Sequence, residues 1–372
     1  MKILHINSYY SYSKFFKNLY DNQVSSGLDI DVFVPVSSDA ESNDFDYGSY
    51  SAISRNHNKY DRYFFHLKHN KICKDIQRKY NIEKYDAIHA HSLFSNGYIA
   101  MKLKEKYGTP YIVAVRNTDI NLFFKKMIHL RKLGVKILKD ANQVVFLSEP
   151  YKDLVIERYV PESLKEEISN RVTILPNGID KFWFDNIGVP KEEPKLPCIR
   201  LLQVGDINKN KNIETTVKAV DLLIEKGYLV ELNVVGKVKD EDIFNKIKDL
   251  EYVNYLGYKS KQELLTIYRE NDIFVLPSIH ETFGLVYAEA MSQGLPVIYT
   301  RGQGFDKQFE DGEVGYVVYY SDFADITLKI EETISNYRSI TKNVIESVHK
   351  FSWDNIVLRY IYLYKQREGN KQ

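Results

Sequence analysis

Short apolar runs alternate with longer amphipathic stretches along the whole chain. Residues 3–6, 30–34, 87–90, 111–115 and 143–147 are brief runs rich in β-branched side chains, and their length favours strands over pieces of buried helix. Segments of helical length lie between them, at 13–26, 59–80, 95–107 and 121–139. The rhythm resumes at 200–205, 231–236, 252–257, 273–277 and 296–300. Strand–helix alternation of this kind predicts an α/β fold of parallel sheets with helices on both faces. Residues 187–198 hold three prolines and little periodicity, which is the composition of a linker. The pattern therefore predicts two similar parallel-sheet domains of nearly equal size. Ligands of such sheets bind beyond the carboxyl ends of the strands, so the chemistry is expected in the loops that follow strands, at a cleft between the domains.

Composition narrows the class. A length of 372 residues suits two domains, and 44% apolar with 27% charged residues excludes wholesale disorder. No apolar run approaches the roughly 18 residues of a membrane span. The N-terminal run meets Asn7 and Ser8 too early for a signal-peptide core and reads as a first buried strand. A net charge of +1 supplies no global field for nucleic acid. Cys73 and Cys198 are far apart and match no metal-ligand spacing, so neither a disulfide scaffold nor a zinc site is expected, and a reducing cytoplasm fits.

The most informative stretch is 273–298. A strand ends at Pro277, a loop carries Glu281, a helix starts near Phe283 and Gly284 and stops at Gly294, and Pro296 opens the next strand. Free amides at Phe283, Gly284 and Leu285, at a helix N-terminus without a side chain at Gly284, suit a diphosphate. Glu289, on the first turns of that helix, is placed to accept two hydrogen bonds from a vicinal diol such as a ribose. Glu281 is placed to accept from hydroxyls of a sugar on the same diphosphate.

This stretch resembles the Glu-x7-Glu motif of retaining family-4 (group 1) glycosyltransferases of the GT-B fold, with Glu281 and Glu289 as its glutamates. The resemblance extends through 173–180, 201–215, 234–236, 255–258 and 351–354, and is weak before about residue 85. It implies two Rossmann-like domains facing across a cleft. Residues 1–186 would bind the acceptor, 187–198 link, 199–354 bind a nucleotide sugar, and 355–372 form a closing helix on the N-terminal domain. It also implies transfer of a sugar, with retention, from a nucleoside diphosphate sugar such as a UDP-sugar to a hydroxyl. By the same resemblance Glu289 holds the ribose, Glu281 meets the donor sugar, Lys211 lies on the diphosphate and Tyr258 lies near the base. No catalytic metal and no cofactor beyond the donor are implied. The Asp-Phe-Asp at 44–46 lies in a loop-like stretch and is a metal-motif decoy.

Three positions depart from the family pattern. Asp206 stands where relatives usually carry an arginine that pairs with lysine on the diphosphate. Either Lys209 supplies that charge, oriented by Asp206, or donor binding is lost. The loop after the first strand, 7–13, has no glycine, and Asn7 and Ser8 are the candidates for hydrogen-bonding an acceptor. After the strand at 111–115, where relatives often place a histidine, the chain has Arg116 and Asp119. Arg116 can stabilise a leaving diphosphate and Asp119 can receive the acceptor proton; a salt-bridged loop is the alternative.

His89 and His91 share one strand face, with His91 the better cleft candidate and His89 structural. Gly304 and Phe305 follow a strand and can offer amides to a sugar. Residues 121–139 carry six basic and no acidic residues before Asp140, with Phe123, Phe124, Met127, Ile128 and Leu130 near one helical stripe. Either this face meets an anionic membrane surface, suiting a saccharide or lipid-linked saccharide acceptor at the cytoplasmic leaflet and a peripheral location, or it packs on its own sheet. Two other functions remain open at this level: a nucleotide-sugar epimerase of similar fold, and a non-catalytic GT-B partner, to which Asp206 alone points.

Overall fold

Nearly continuous apolar runs form strands buried on both faces. The computed structural model describes residues 1–13, 15–40 and 44–366. It divides into two units: Met1–Leu147 with Lys152–Pro176 and the C-terminal segment from Trp353, and Ser148–Tyr151 with Asn177–Ser352. The main segment of the second unit thus begins at Asn177, upstream of the expected linker.

The first unit holds seven parallel strands: β1 (Lys2–Ile6), β2 (Asp29–Ser37), β3 (Ser51–His57), β4 (Ala87–Ala90), β5 (Tyr111–Val115), β6 (Gln143–Phe146) and β7 (Val172–Ile174). Their order is β3-β2-β1-β4-β5-β6-β7. The order reverses between β1 and β4, where Ile3 aligns with Ala87 and His5 with His89. Edge strand β3, Ser-Ala-Ile-Ser-Arg-Asn-His, is too polar to read as a strand and forms by pairing with β2. The helix Trp353–Lys365 belongs to this unit; Trp353, Ile356, Val357 and Tyr360 pack in one core cluster with Leu19, Tyr20, Val32 and Val34. Residues 367–372 of the expected closing helix lie outside the described residues.

The second unit holds β8 (Cys198–Val204), β9 (Leu229–Val235), β10 (Val253–Gly257), β11 (Ile273–Leu276), β12 (Val297–Thr300) and β13 (Gly315–Val318), in the order β10-β9-β8-β11-β12-β13. All pairs are parallel. The reversal lies between β8 and β11, so the loops after those two strands meet at their carboxyl ends. Residues 187–197, read as a linker, are a strap on this unit. The Gly188 amide donates to Ser292 O at 2.8 Å, and the Lys191 ammonium donates to the carbonyls of Tyr268 and Arg269 at 3.0 and 2.8 Å.

Residues 121–139 do not form one helix. A π-turn covers Asp119–Phe124, a 3-10 turn covers Ile128–Leu130, and the α-helix is Arg131–Asp140. Phe124 and Leu130 are buried, and Phe123 stacks on Phe94 with ring centroids 4.7 Å apart. Most of the expected exposed stripe therefore packs on its own unit, because the breaks in the helix turn those side chains inward. No helix among the described residues is long and apolar enough to cross a membrane.

Candidate functional site

The loop after β8 is built by asparagines. Asn208 accepts from the Lys211 amide, and Asn212 takes the left-handed conformation (φ 56°) that opens the helix Ile213–Glu225. Asn210 and Asn212 then tie this loop to the one after β11. The Asn210 amide side chain donates to His280 O at 2.9 Å and accepts from the His280 amide at 3.0 Å. Asn212 Nδ2 donates to Pro277 O at 3.0 Å. These fastenings bring the Lys211 ammonium to 2.6 Å from Glu281 Oε2. Glu281 is fixed from behind: its amide donates to Gln303 Oε1 at 2.9 Å, and its carbonyl accepts from the Gly304 amide at 2.8 Å and from the Tyr151 hydroxyl at 3.0 Å. Gly304 is therefore a support for the Glu281 loop, and its amide is not free for a sugar.

Gly284 (φ 75°) precedes the helix Leu285–Ser292; a Cβ there would lie 2.4 Å from the Tyr287 ring and 3.0 Å from Glu281 Cγ. The backbone can turn there only because glycine leaves that space open. Helix N-terminal amides lack intrahelical acceptors, so those of Gly284 and Leu285 suit an anion. Phe283 is buried against Phe305 and Phe351, which anchors the turn.

Glu289 lies one turn further along, against Tyr268 and beside Trp183, whose buried indole N–H faces the carboxylate and favours its ionised form. The Tyr268 hydroxyl is 3.5 Å from Glu289 Oε2, at the limit of a hydrogen bond. Burial raises the Glu289 carboxyl to about 7, with the Lys261 charge opposing. Lys261 is itself paired with Asp180, which caps the short helix Lys181–Asp185. Trp183, Lys261 and Tyr268 have no individual signal in the sequence, and Asp180 only that of the 173–180 segment; folding gathers them around Glu289.

Tyr258 follows β10 and is 70% exposed. Lys237, which no motif in the sequence singles out, places its ammonium 4.8 Å from the Tyr258 ring centroid. Asp206 Oδ1 accepts, at 3.4 Å, from the Lys237 amide. Lys209 is exposed and makes no contact with Asp206, so the expected orientation of Lys209 by Asp206 is not found.

In the first unit the candidates point inward. Asn7 is fully buried; its Nδ2 donates to the Tyr20 hydroxyl at 2.8 Å and its Oδ1 accepts from the Tyr9 amide at 3.0 Å. Its polar atoms thus shape the loop and are not free for an acceptor, whereas Ser8 is half-buried. His91 is buried too, with His5 Nδ1 and His91 Nε2 3.0 Å apart and the His89 ring stacked at 4.0 Å. His91 is therefore a core residue and not a cleft residue. Burial keeps all three imidazoles neutral, far below the usual range for His89 and His91 and at about 3 for His5. One nitrogen of each lies within 4.8 Å of the others, a spacing that a metal ion can bridge. Against that, His89 Nδ1 is 2.7 Å from the Tyr364 hydroxyl, no carboxylate among the described residues acts on the trio, and the Arg116 charge opposes a cation there.

Asp119 is likewise structural. It is buried and accepts from the amides of Leu93 at 2.9 Å, Phe94 at 3.0 Å and Arg116 at 2.8 Å. Burial raises its carboxyl to about 6, with those amides opposing. A carboxylate already accepting three N–H bonds is a clamp between two loops, not a free base and not half of a salt bridge. Arg116 is half-buried, its Nε 3.4 Å from His91 O and its guanidinium over Phe16. The decoy at 44–46 is irregular loop; Asp46 accepts from the Gly48 amide and pairs with Lys17 at 3.6 Å.

Comparison with known proteins agrees with this architecture. Residues 188–350 match the family described as glycosyl transferases group 1, and residues 13–181 match glycosyltransferase family 4. An uncharacterised glycosyltransferase of Methanocaldococcus jannaschii is 25% identical over 323 residues, with 79% of each chain covered. The capsular polysaccharide biosynthesis glycosyltransferase CapM of Staphylococcus aureus is 30% identical over 251 residues, covering 62% of this chain and 64% of its own. A sucrose-phosphate synthase from Thermosynechococcus elongatus shares the fold, with a TM-score of 0.74 at 18% identity and 98% of each chain covered. Two family matches that together span most of the chain, on two parallel sheets of the GT-B kind, establish that this protein belongs to the group 1 glycosyltransferases.

Proposed function

We propose that the protein moves a glycosyl group, with retention, from a nucleoside diphosphate sugar to a hydroxyl of a saccharide or lipid-linked saccharide, in the synthesis of a surface polysaccharide or glycolipid. The observation that carries the reading is the Lys211–Glu281 pair at the reversal of the second sheet, beside the helix N-terminus at Gly284. Lys211 and the amides after Phe283 compensate the charge that develops on the departing diphosphate, without a metal ion. Glu281, released from Lys211, accepts from donor-sugar hydroxyls. Ionised Glu289 accepts from the ribose diol, and Tyr258 offers a face to the base. Arg116 remains the candidate in the first unit for contact with the donor.

An anionic membrane surface is the proposed setting of the acceptor, with the contact shifted from 121–139 toward the neighbouring basic segment 59–80 and its Tyr-Phe-Phe at 63–65. Tyr63, Phe64 and Leu67 are half to two-thirds exposed, and neighbouring Phe65 packs on Phe123, which joins them to exposed Ile128 and to Lys125 and Lys126. Exposed aromatic and aliphatic side chains among lysines suit a lipid interface.

The test is release of nucleoside diphosphate from UDP-, GDP- and ADP-sugars, with and without lipid extracts as acceptor, in excess chelator. Acceptor-dependent release in chelator, with a product of retained anomeric configuration, is the expected result. Inversion, strict dependence on a divalent ion, or an epimerised donor would each overturn part of the proposal.

A further inference from the structure

Opposite the usual arginine, Asp206 leaves the donor site with one obvious cation, Lys211. Lys209 does not fill the gap. It stands two positions from Lys211 in a 3-10 turn, so at three residues per turn the two side chains depart about 120° apart. Lys211 leans along Gly205: its stem carbons lie 3.2–3.3 Å from where a Gly205 Cβ would stand.

The other flank of Gly205 is the loop after β9. The Ile207 amide donates to Lys237 O at 2.9 Å and the Lys239 amide to Ile207 O at 3.0 Å, which zips the two loops together. Gly236 touches Gly205 so closely that a Cβ would fall 2.0 Å from Gly205 O. The result is a backbone floor without side chains, with Lys211 on one side and Lys237 on the other. Among the described residues no carboxylate pairs with the Lys237 ammonium, which rests on the exposed Tyr258 ring. A cation on an exposed ring is held only weakly. A nucleobase stacking on Tyr258 would take that face and release the ammonium beside the glycine floor.

We propose that Lys237 is the second cation of the diphosphate site, parked on Tyr258 until a nucleotide takes the ring. The inference rests on the donor-site reading above and adds to it the residue that replaces the missing arginine. Asp206 then serves to hold the Lys237 backbone, and its negative charge makes the second lysine necessary.

The test is calorimetric binding of UDP, GDP and ADP, and of the matching nucleosides, to the full chain and its variants. Lys237→Ala should weaken the nucleoside diphosphate that binds by about ten- to a hundredfold, leave its nucleoside no weaker and up to about fivefold tighter because the ring no longer holds an ammonium to displace, and be rescued by Lys237→Arg. Lys209→Ala should bind as the parent does. An unchanged diphosphate affinity in Lys237→Ala, with a loss in Lys211→Ala, overturns the inference and leaves the donor site standing. Equal losses for diphosphate and nucleoside would make Lys237 part of the base face only, which also overturns it. If Lys211→Ala too is without effect, or the parent binds none of the three, the donor-site reading itself fails. Lys237 is exposed, so the variants should fold; melting temperatures check this.

Discussion

Lys211 and Glu281, seventy residues apart in the chain, form an ion pair of 2.6 Å at the carboxyl ends of adjacent strands β8 and β11. Both side chains are mostly buried, which strengthens the pair relative to a surface bridge. Each is also a residue that a nucleotide sugar would recruit. Donor binding must then exchange one ion pair for two new contacts, diphosphate on Lys211 and sugar hydroxyl on Glu281.

That exchange sets the first prediction. Lys211→Ala should cost several-fold to a thousandfold in kcat/KM, taking ~1.5–4 kcal/mol for a lost charge-assisted contact. Glu281→Gln should lower kcat far more than nucleoside diphosphate affinity, because the proposed role of Glu281 is on the sugar and not on the nucleotide. Steady-state kinetics with calorimetry separates the two; Glu281→Gln losing nucleotide affinity at unchanged kcat would reverse the roles.

Glu289 makes the site pH-sensitive. Burial raises its carboxyl to about 7, and the proposed ribose contact is stronger with the ionised form, so nucleotide affinity should rise from pH 6 to pH 8. The sign for stability is opposite. The folded-state value lies above the unfolded one of 4.5, so the folded form holds the extra proton. This group's contribution to stability should fall as pH rises from about 4.5 to about 7 and then level off. Glu289→Gln should flatten both dependences, measured by titration calorimetry and by denaturant melts across pH. A pH-independent affinity in the parent would remove Glu289 from the ribose.

Asp119 tests whether a buried carboxylate is a clamp or a base. Asp119→Asn presents an N–H to at least one of three amides that now donate to it. A loss of roughly 1–3 kcal/mol in stability is expected from the unsatisfied groups. Chemical denaturation should show it, with nucleotide affinity intact. Unchanged stability with a large fall in kcat would restore the proton-acceptor role.

Gly284→Ala probes the turn before the helix. A left-handed backbone costs a side-chain-bearing residue about 1–2 kcal/mol, and the new methyl would press on the Tyr287 ring. Tyr287 cannot yield readily, being buried and bonded through its hydroxyl to Leu276 O at 2.6 Å. A lowered melting temperature and a weakened nucleoside diphosphate affinity are both expected; parent-like affinity would place the diphosphate away from this turn.

The sequence by itself determined the two parallel sheets, because strands buried on both faces read as unbroken apolar runs such as Tyr111–Val115 and Ile273–Leu276. It also determined the Glu281–Gly284–Glu289 element, whose parts are contiguous and governed by one strand–loop–helix geometry. Tertiary structure alone decided what depends on which strands are neighbours. The polar edge strand Ser51–His57 exists because β2 offers it a ladder. Asn7 and His91 turn into the core because β1 and β4 pair in a register that brings His5, His89 and His91 together beneath Tyr20 and Tyr364. Asparagines 210 and 212 looked like ordinary loop residues until β8 and β11 lay side by side, and Lys237 gained a role only when β9 and β10 placed it over Tyr258. Spacing along the chain encodes which face a side chain takes within its own element; the partner on that face is set by contacts between elements scores of residues apart, which no local pattern carries.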